Sequence, residues 1–412
     1  MHTLVTFLGR VQKDPQAGYR AATYRFPDGT LRRTSFFGLA LAEHLQPDRI
    51  VVLGTGGSMW GALVEHVAAA GEEEEARLAL LEAEERAAVD QALLDCLAGL
   101  LRRAAGCELV PRLIPFGRTE EEQRAILAAI AAIVDRGAVS FDLTHGFRHL
   151  GMIGMLSAFM LERIGSLKVR SLWYGALDMM EEGTAPVLRL DGLNAIQLWV
   201  DALGRFDASG DYGVFAPLLE ADCVPADKAR CLQEAAFHER TFNLPDAARK
   251  LRTFHAVLRR PLPGASGLFQ DRLAARLKWI DERDLAAQQR ALAGQYLARA
   301  DFVRAAQFAW EALVSRACKG PDPLVRAVRE AAEKELDEKF KAKDCDKAQA
   351  DAFFTLKYLR NALAHGTPPQ GERYRRLLAS PQRLYEALRG AIERLLAPPQ
   401  ACRGRRRGGV SR

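Results

Sequence analysis

An α/β domain followed by an all-helical one is the fold class that the sequence predicts. Three observations carry it. Short apolar or β-branched runs alternate with helical patterns as far as about residue 200. Beyond that point the strand signal disappears. Gly/Pro-rich breaks then partition the second half into helices.

The elements follow in order. Residues 4–8 form the first strand, and 19–26 and 30–36 pair as a hairpin around Asp28-Gly29. Residues 37–45 read as a helix, turned by Pro47-Asp48 into a strand at 49–53. The Ala/Leu/Glu-rich stretch 72–105 reads as one long crossover helix with an acidic solvent face, its packing side formed by Leu78, Leu81, Val89, Leu93, Cys96 and Leu100. A strand at 109–114 carries Pro111, which suits a sheet edge. A helix at 120–135, a strand at 138–143, a helix at 146–163 and a hairpin of 169–177 with 187–190 complete a parallel-rich, doubly wound sheet. A boundary is expected near 204–217, giving a first domain over 1–204 with a helical insertion at 72–105, and a helical region over 205–400. Helices are expected there at 226–238, 246–258, 282–298, 302–316, 324–340, 347–365, 372–379 and 381–396, the last begun by Ser380 as N-cap and Pro381.

Composition narrows the function classes. With 49% apolar and 27% charged residues over 412 positions, the chain is neither disordered nor fibrous. No apolar run is long enough to span a membrane, and the N-terminal stretch enters a strand without a basic leader, so a cytoplasmic protein is expected. Seven scattered cysteines without a CxxC pattern speak against a disulfide framework and a structural zinc site, and no metal site is expected. The formal charge of +6 is concentrated in the basic, disordered-looking tail 401–412, which holds five Arg and no acid. The rest of the chain has 53 basic against 52 acidic residues, so bulk charge does not identify a nucleic-acid groove.

Three constellations bear chemistry. Thr55, Gly56, Gly57 and Ser58 follow the strand at 49–53; such a turn offers amide groups to an anion, or is simply a tight strand-to-helix turn. Asp142, Thr144, His145, Gly146 and Arg148 follow the strand at 138–143 and fall on the same carboxyl rim of the sheet, where ligands collect. They suit a nucleotide-like ligand, with Arg148 for a phosphate; a capped turn with a packed histidine is the alternative. Near the C-terminus, Arg360, Asn361 and His365 lie on a helix that Gly366 can end. The Arg and His stand about 140° apart on an ideal helix, so they converge only if the last turn deforms or a second copy approaches. A terminal histidine also simply favours the helix dipole.

The run Asp142-Leu143-Thr144-His145-Gly146, together with Arg360-Asn361-Ala362-Leu363-Ala364-His365, resembles the CRISPR-associated CARF–HEPN ribonuclease family, in the branch marked by a DxTHG motif. The resemblance implies a Rossmann-like CARF sensor over 1–204 and a HEPN effector in the helical region. It also implies a homodimer, with higher oligomers possible, that binds cyclic oligoadenylate through Thr55–Ser58 and Asp142–Arg148 as an allosteric activator. The activated protein would cut single-stranded RNA without a metal, leaving 2′,3′-cyclic phosphate and 5′-hydroxyl ends in type III CRISPR defence. His365 would move protons, Arg360 would hold the phosphate and Asn361 would support them. A non-catalytic sensor that recruits a partner, or a CARF domain that degrades its own ligand, are the alternatives.

Overall fold

The computed structural model describes residues 1–10, 13–14, 18–19, 21–67, 73–105, 107–134, 136–320, 322–342 and 345–397. The Arg-rich stretch 401–412 lies outside the described residues. Two compact units are present, Met1–Gln197 and Leu198–Arg412.

The first unit runs β1 (His2–Leu8), β2 (Lys13–Asp14), β3 (Gly18–Tyr19), β4 (Ala22–Arg25), β5 (Leu31–Thr34), α1 (Phe37–Leu45), β6 (Arg49–Gly54), α2 (Trp60–Val67), α3 (Glu74–Glu85), α4 (Gln91–Ala105) and β7 (Glu108–Leu113). It continues with α5 (Glu120–Ile133), β8 (Arg136–Asp142), α6 (Arg148–Ile164), β9 (Ser166–Gly175) and β10 (Thr184–Arg189). The eight-stranded sheet has the order β5-β4-β10-β9-β8-β1-β6-β7. Its five strands β7-β6-β1-β8-β9 are parallel, whereas β10 returns antiparallel to β9 as the expected terminal hairpin.

β1 is central and buried along its whole length, which explains its continuous apolar run. Leu4 and Leu8 face one core with α1 to α4, while Val5 and Phe7 face the other with α5 and α6, as the two-residue period of a strand requires. Pro111 is accommodated because β7 is the sheet's edge. The β4–β5 turn is closed by Asp28, whose Oδ1 accepts the Thr30 amide at 2.9 Å, with Gly29 at φ +86°. The chain visits β6 and β7 on one side of β1 before crossing to β8 on the other. The topological switch point therefore lies outside the carboxyl ends of β1 and β8, at Gly9 and Asp142–Gly146.

One expectation needs correction. The stretch 72–105 is not one helix: it breaks at Arg86–Asp90, where Ala87 adopts φ +52°, and α3 and α4 pack on each other and on α2. Leu80, Ala83, Val89, Leu94, Leu97, Leu100 and Leu101 are its buried side, whereas Leu78 and Cys96 are exposed. The break shifts the helical phase, so a single stripe drawn through both halves fails. The stretch 204–217, near which the boundary is expected, is structured through α7 (Asp191–Ser209) and a 3-10 turn at Tyr212–Phe215. Trp199, Ala202, Phe206, Tyr212 and Phe215 all enter the core of the second unit, so apolar burial outweighs the Gly/Asp signal.

The second unit is all-helical among its described residues. It comprises α8 (Ala216–Ala221), α9 (Ala226–Arg240), α10 (Leu244–His255), α11 (Gln270–Leu277), α12 (Leu285–Leu297), α13 (Phe302–Ala317), α14 (Arg326–Lys341), α15 (Lys347–His365), α16 (Glu372–Leu378) and α17 (Pro381–Leu396), with short 3-10 turns between. Asn243, Asp284, Asp301, Asp346 and Ser380 cap their helices by accepting backbone N–H groups, each contributing on the order of 1 kcal/mol. α12, α13, α15 and α17 form the central bundle. A buried polar group sits beside it, in which Glu239 accepts from Arg276, from Tyr296 Oη at 2.5 Å and from Tyr212 Oη at 3.0 Å.

Candidate functional site

The glycine-bearing turn after β6 is held from within. Ser58 Oγ accepts the Thr55 amide at 2.9 Å and donates to the Leu8 carbonyl at 2.7 Å, and both side chains are buried. Trp60 Nε1 donates to the Thr55 carbonyl at 2.8 Å. The α3–α4 connection lies directly on this turn: the Val89 amide donates to the Gly56 carbonyl at 3.1 Å. A Cβ on Gly56 would stand 2.9 Å from the Ala87 carbonyl oxygen, so glycine here admits a close backbone approach. The amino end of α2 is also occupied, because the Gly61 amide donates to Glu84 Oε2 at 2.7 Å. An acid already sits where an anion would bind.

The turn after β8 shares this economy in its motif residues. Asp142 is fully buried; its Oδ2 accepts from Thr6 Oγ1 at 2.6 Å and its Oδ1 accepts the Thr144 amide at 2.9 Å. Burial lifts its carboxyl to about 6, overriding the lowering by those hydrogen bonds. Thr144 Oγ1 accepts the Gly175 amide at 2.7 Å and ties the turn to β9. His145 Nε2 accepts the Phe37 amide at 3.1 Å, so it caps the first turn of α1 as a neutral ring with its proton on Nδ1. Burial pushes this imidazole down to about 4. Gly146 has φ +94°, a conformation that L side chains rarely adopt. The motif therefore builds the turn, and its polar side chains face inward.

What the turn presents outward differs from the sequence expectation. α6 begins with no side-chain cap and no acid in its first turn, and Arg148 at that end is exposed. Beside it stands an aromatic group that sequence reasoning missed. Phe147 is 47% exposed, stacks on His149 with ring centroids 5.8 Å apart, and faces Phe116 at 6.2 Å. His149 Nε2 is held 2.8 Å from the Phe116 carbonyl, and the Arg118 guanidinium lies 4.6 Å over the Phe116 ring. His145 and His149 thus have separate backbone partners. Among the described residues no group of three His, Cys, Asp or Glu could hold a metal. No described helix is long and apolar enough to cross a membrane.

In the helical unit, α15 runs unbroken from Lys347 to His365 and ends at Gly366, φ +65°. The last turn does not deform, so Arg360 and His365 keep their offset of about 140°. Arg360 Nη1 donates to Asn361 Oδ1 at 2.8 Å, its Nε donates to Gln307 Oε1 at 3.1 Å, and its guanidinium lies 5.5 Å over the Trp310 ring. The structure joins Arg360 to Asn361 and adds Gln307 from α13, a contact between helices that no local motif signals. His365 is exposed at the helix end, outside that cluster.

The family described as "CRISPR system endoribonuclease Csx1, CARF domain" matches residues 3–177. A CRISPR-associated protein of Methanocaldococcus jannaschii is 26% identical over 222 residues, which cover 49% of this chain and 35% of that protein. The match thus spans about a third of the length of this curated relative. Among solved structures, Enterococcus italicus Csm6 bound to cyclic hexa-2′-fluoro-hexa-dAMP aligns over 96% of this chain and 94% of its own, at 10% identity and a TM-score of 0.35. The sheet order and the match over 3–177 identify the first unit as a Rossmann-like CARF domain, after which the chain continues as an all-helical unit.

Proposed function

We propose that the protein is a homodimeric, cytoplasmic, cyclic-oligoadenylate-activated endoribonuclease of type III CRISPR defence. The observation that carries this reading is the presence, in one chain, of a CARF domain with the Asp142–Gly146 turn at its switch point and of Arg360, Asn361 and His365 at the end of α15. Activator phosphates meet the uncapped amino end of α6 and Arg148, and an adenine stacks on Phe147. Thr55, Gly56, Gly57 and Ser58 shape the neighbouring wall, since the Thr55 and Ser58 hydroxyls are already bonded within the protein. A second copy covers the exposed apolar stripe of α6, formed by Met152, Leu156, Met160 and Ile164 at four-residue spacing.

The RNA chemistry needs no metal. The 2′-hydroxyl attacks the adjacent phosphorus and gives its proton to His365; the O2′–P bond forms as the P–O5′ bond breaks. The departing 5′ oxygen takes a proton, supplied by the same histidine in the second copy, which leaves a 2′,3′-cyclic phosphate and a 5′-hydroxyl. Arg360 uses two of its five N–H donors on Gln307 and Asn361 and has three for the phosphate.

Purified protein with single-stranded RNA in EDTA, assayed against cyclic oligoadenylates of several ring sizes, tests the reading. Cleavage should require the activator and vanish in His365→Ala. Activity retained by a dimeric His365→Ala protein would overturn the catalytic assignment. A second reading is a non-catalytic sensor that recruits a partner; the bonds that tie Arg360 to Gln307 and Asn361 favour it, and activator binding without any RNA cleavage would establish it. Degradation of the activator by this domain is disfavoured, because Ser58, Thr144 and His145 are all engaged in holding backbone groups.

A further inference from the structure

A second polar cleft lies in the helical unit, on a different face of α15 from Arg360. Its floor is made of small residues, Ala352 and Thr355 on α15 and Ala387, Gly390 and Ala391 on α17. Its walls carry Arg373, Arg383 and Arg394. Two acids also line it, Asp351 and Glu386. Arg373 donates with both terminal nitrogens to Asp351, and Glu386 accepts from Gln382, 2.6 Å away. Arg383 and Arg394 are exposed and have no direct ion pair among the described residues.

The spacing of these two guanidinium groups is informative. Eleven residues separate them on α17, which returns them to one face within about 20° and sets them roughly 16 Å apart along the axis. Between them the helix offers Ala387, Gly390 and Ala391 to the cleft, together with Glu386, whose carboxylate is bonded to Gln382. A Cβ on Gly390 would meet nothing within 4 Å, which marks open space at the floor. Thr355 supplies an independent sign: the residue lines the cleft, and its Oγ1 is buried with no hydrogen-bond partner among the described residues. On α15, His365 shares the side of Asp351 to within about 40° and lies about 21 Å further along.

We propose that this cleft holds the phosphodiester backbone of a single-stranded polynucleotide, with Arg383 and Arg394 on separate phosphates. The proposal rests on the nuclease reading above and specifies where its substrate lies. Two positive groups flanking a floor of small residues grip a flexible chain of phosphates without reading its bases.

The test measures binding of a fluorescein-labelled 2′-O-methyl oligouridylate, and of its deoxy counterpart, by anisotropy across a salt series with activator present. Neither probe carries the 2′-hydroxyl that cleavage needs. Arg383→Ala/Arg394→Ala should weaken both and reduce the slope of log K against log salt by about 1.4, the loss of two single-strand phosphate contacts. Arg383→Lys/Arg394→Lys should restore most of the slope, and Gly390→Glu should weaken binding by placing a carboxylate in the floor. With native RNA, KM should rise while kcat holds. If the wild type binds both probes and the double alanine variant keeps its slope, the cleft proposal fails and the nuclease reading stands. If the wild type binds neither probe and cuts no RNA, both fail.

Discussion

Replacing Asp142 by asparagine isolates the cost of one buried charge at the centre of the motif. The carboxyl has no exposed surface, and burial moves it from an ordinary 3.8 to about 6 against the opposing pull of Thr144 and Thr6. A shift of about two units corresponds to about 3 kcal/mol. The folded value lies above the unfolded one, so between about pH 4 and 6 the native chain holds a proton that the unfolded chain has lost. The stabilisation from this group is complete below about pH 4 and is lost as pH rises to about 6. Asparagine keeps a carbonyl for the Thr144 amide and can donate to the Thr6 hydroxyl, yet it does not ionise. The stability difference between variant and wild type should therefore move by about 3 kcal/mol in the variant's favour from pH 4 to pH 7. His145, lowered to about 4 by burial, and Tyr24, raised by burial, titrate in both proteins and largely cancel in the difference. Hydrogen–deuterium exchange of peptides covering β1 and β8, with both proteins compared at each pH, reads the opening free energy locally. A difference that stays flat with pH, or one in which asparagine loses ground towards pH 7, would refute the reasoning.

The other expectations concern separate sites. Arg276→Ala should cost the helical unit about 3–5 kcal/mol in urea unfolding, since the Glu239 carboxylate, buried with it, is left without its cation. Phe147→Ala should weaken activator binding about tenfold by calorimetry, whereas Phe147→Trp keeps it, because a stacked base is worth 1–3 kcal/mol and the ring is half exposed. Ser58→Ala and Arg148→Ala should behave oppositely. The first should lower thermal stability, by about 1–3 kcal/mol, with little change in affinity, because it leaves the Thr55 amide and the Leu8 carbonyl buried without a partner. The second should lower affinity and its salt dependence while the melting temperature holds.

The parts of the fold that were legible in the sequence are those where local and tertiary preferences agree. α15 has the expected bounds because Asp346 caps its start, Gly366 ends it, and Ala352, Leu356 and Leu359 supply a stripe that the bundle buries. β1 and β7 were legible for opposite reasons, one as an unbroken apolar run in the centre and one marked as an edge by Pro111. The break at Arg86–Asp90 was not legible, since Arg-Ala-Ala are good helix formers. It exists because Val89 reaches the Gly56 carbonyl, a contact between distant residues. Gln307 was hidden for the same reason, as was the stack of Phe147 on His149, whose geometry depends on Phe116 thirty residues away.

The two glycine-bearing turns looked equivalent as anion sites because a sequence shows that amides are available and not what already occupies them. At α2 the Glu84 carboxylate accepts the Gly61 amide and the α3–α4 connection covers the loop. A phosphate there would have to displace a bonded acid and would meet its charge. The glycine at position 56 is then explained by the neighbouring backbone, which a Cβ would obstruct. At α6 the first turn has no acid and no side-chain cap, Arg148 adds positive charge, and the inward bonds of Asp142, Thr144 and His145 fix the helix start in place. The same inward bonding means that the motif letters cannot encode which ligand is chosen. For an activator bound at this turn as proposed, discrimination would fall to side chains outside the motif, and Phe147, His149, Phe116 and Arg118 are the ones positioned to provide it.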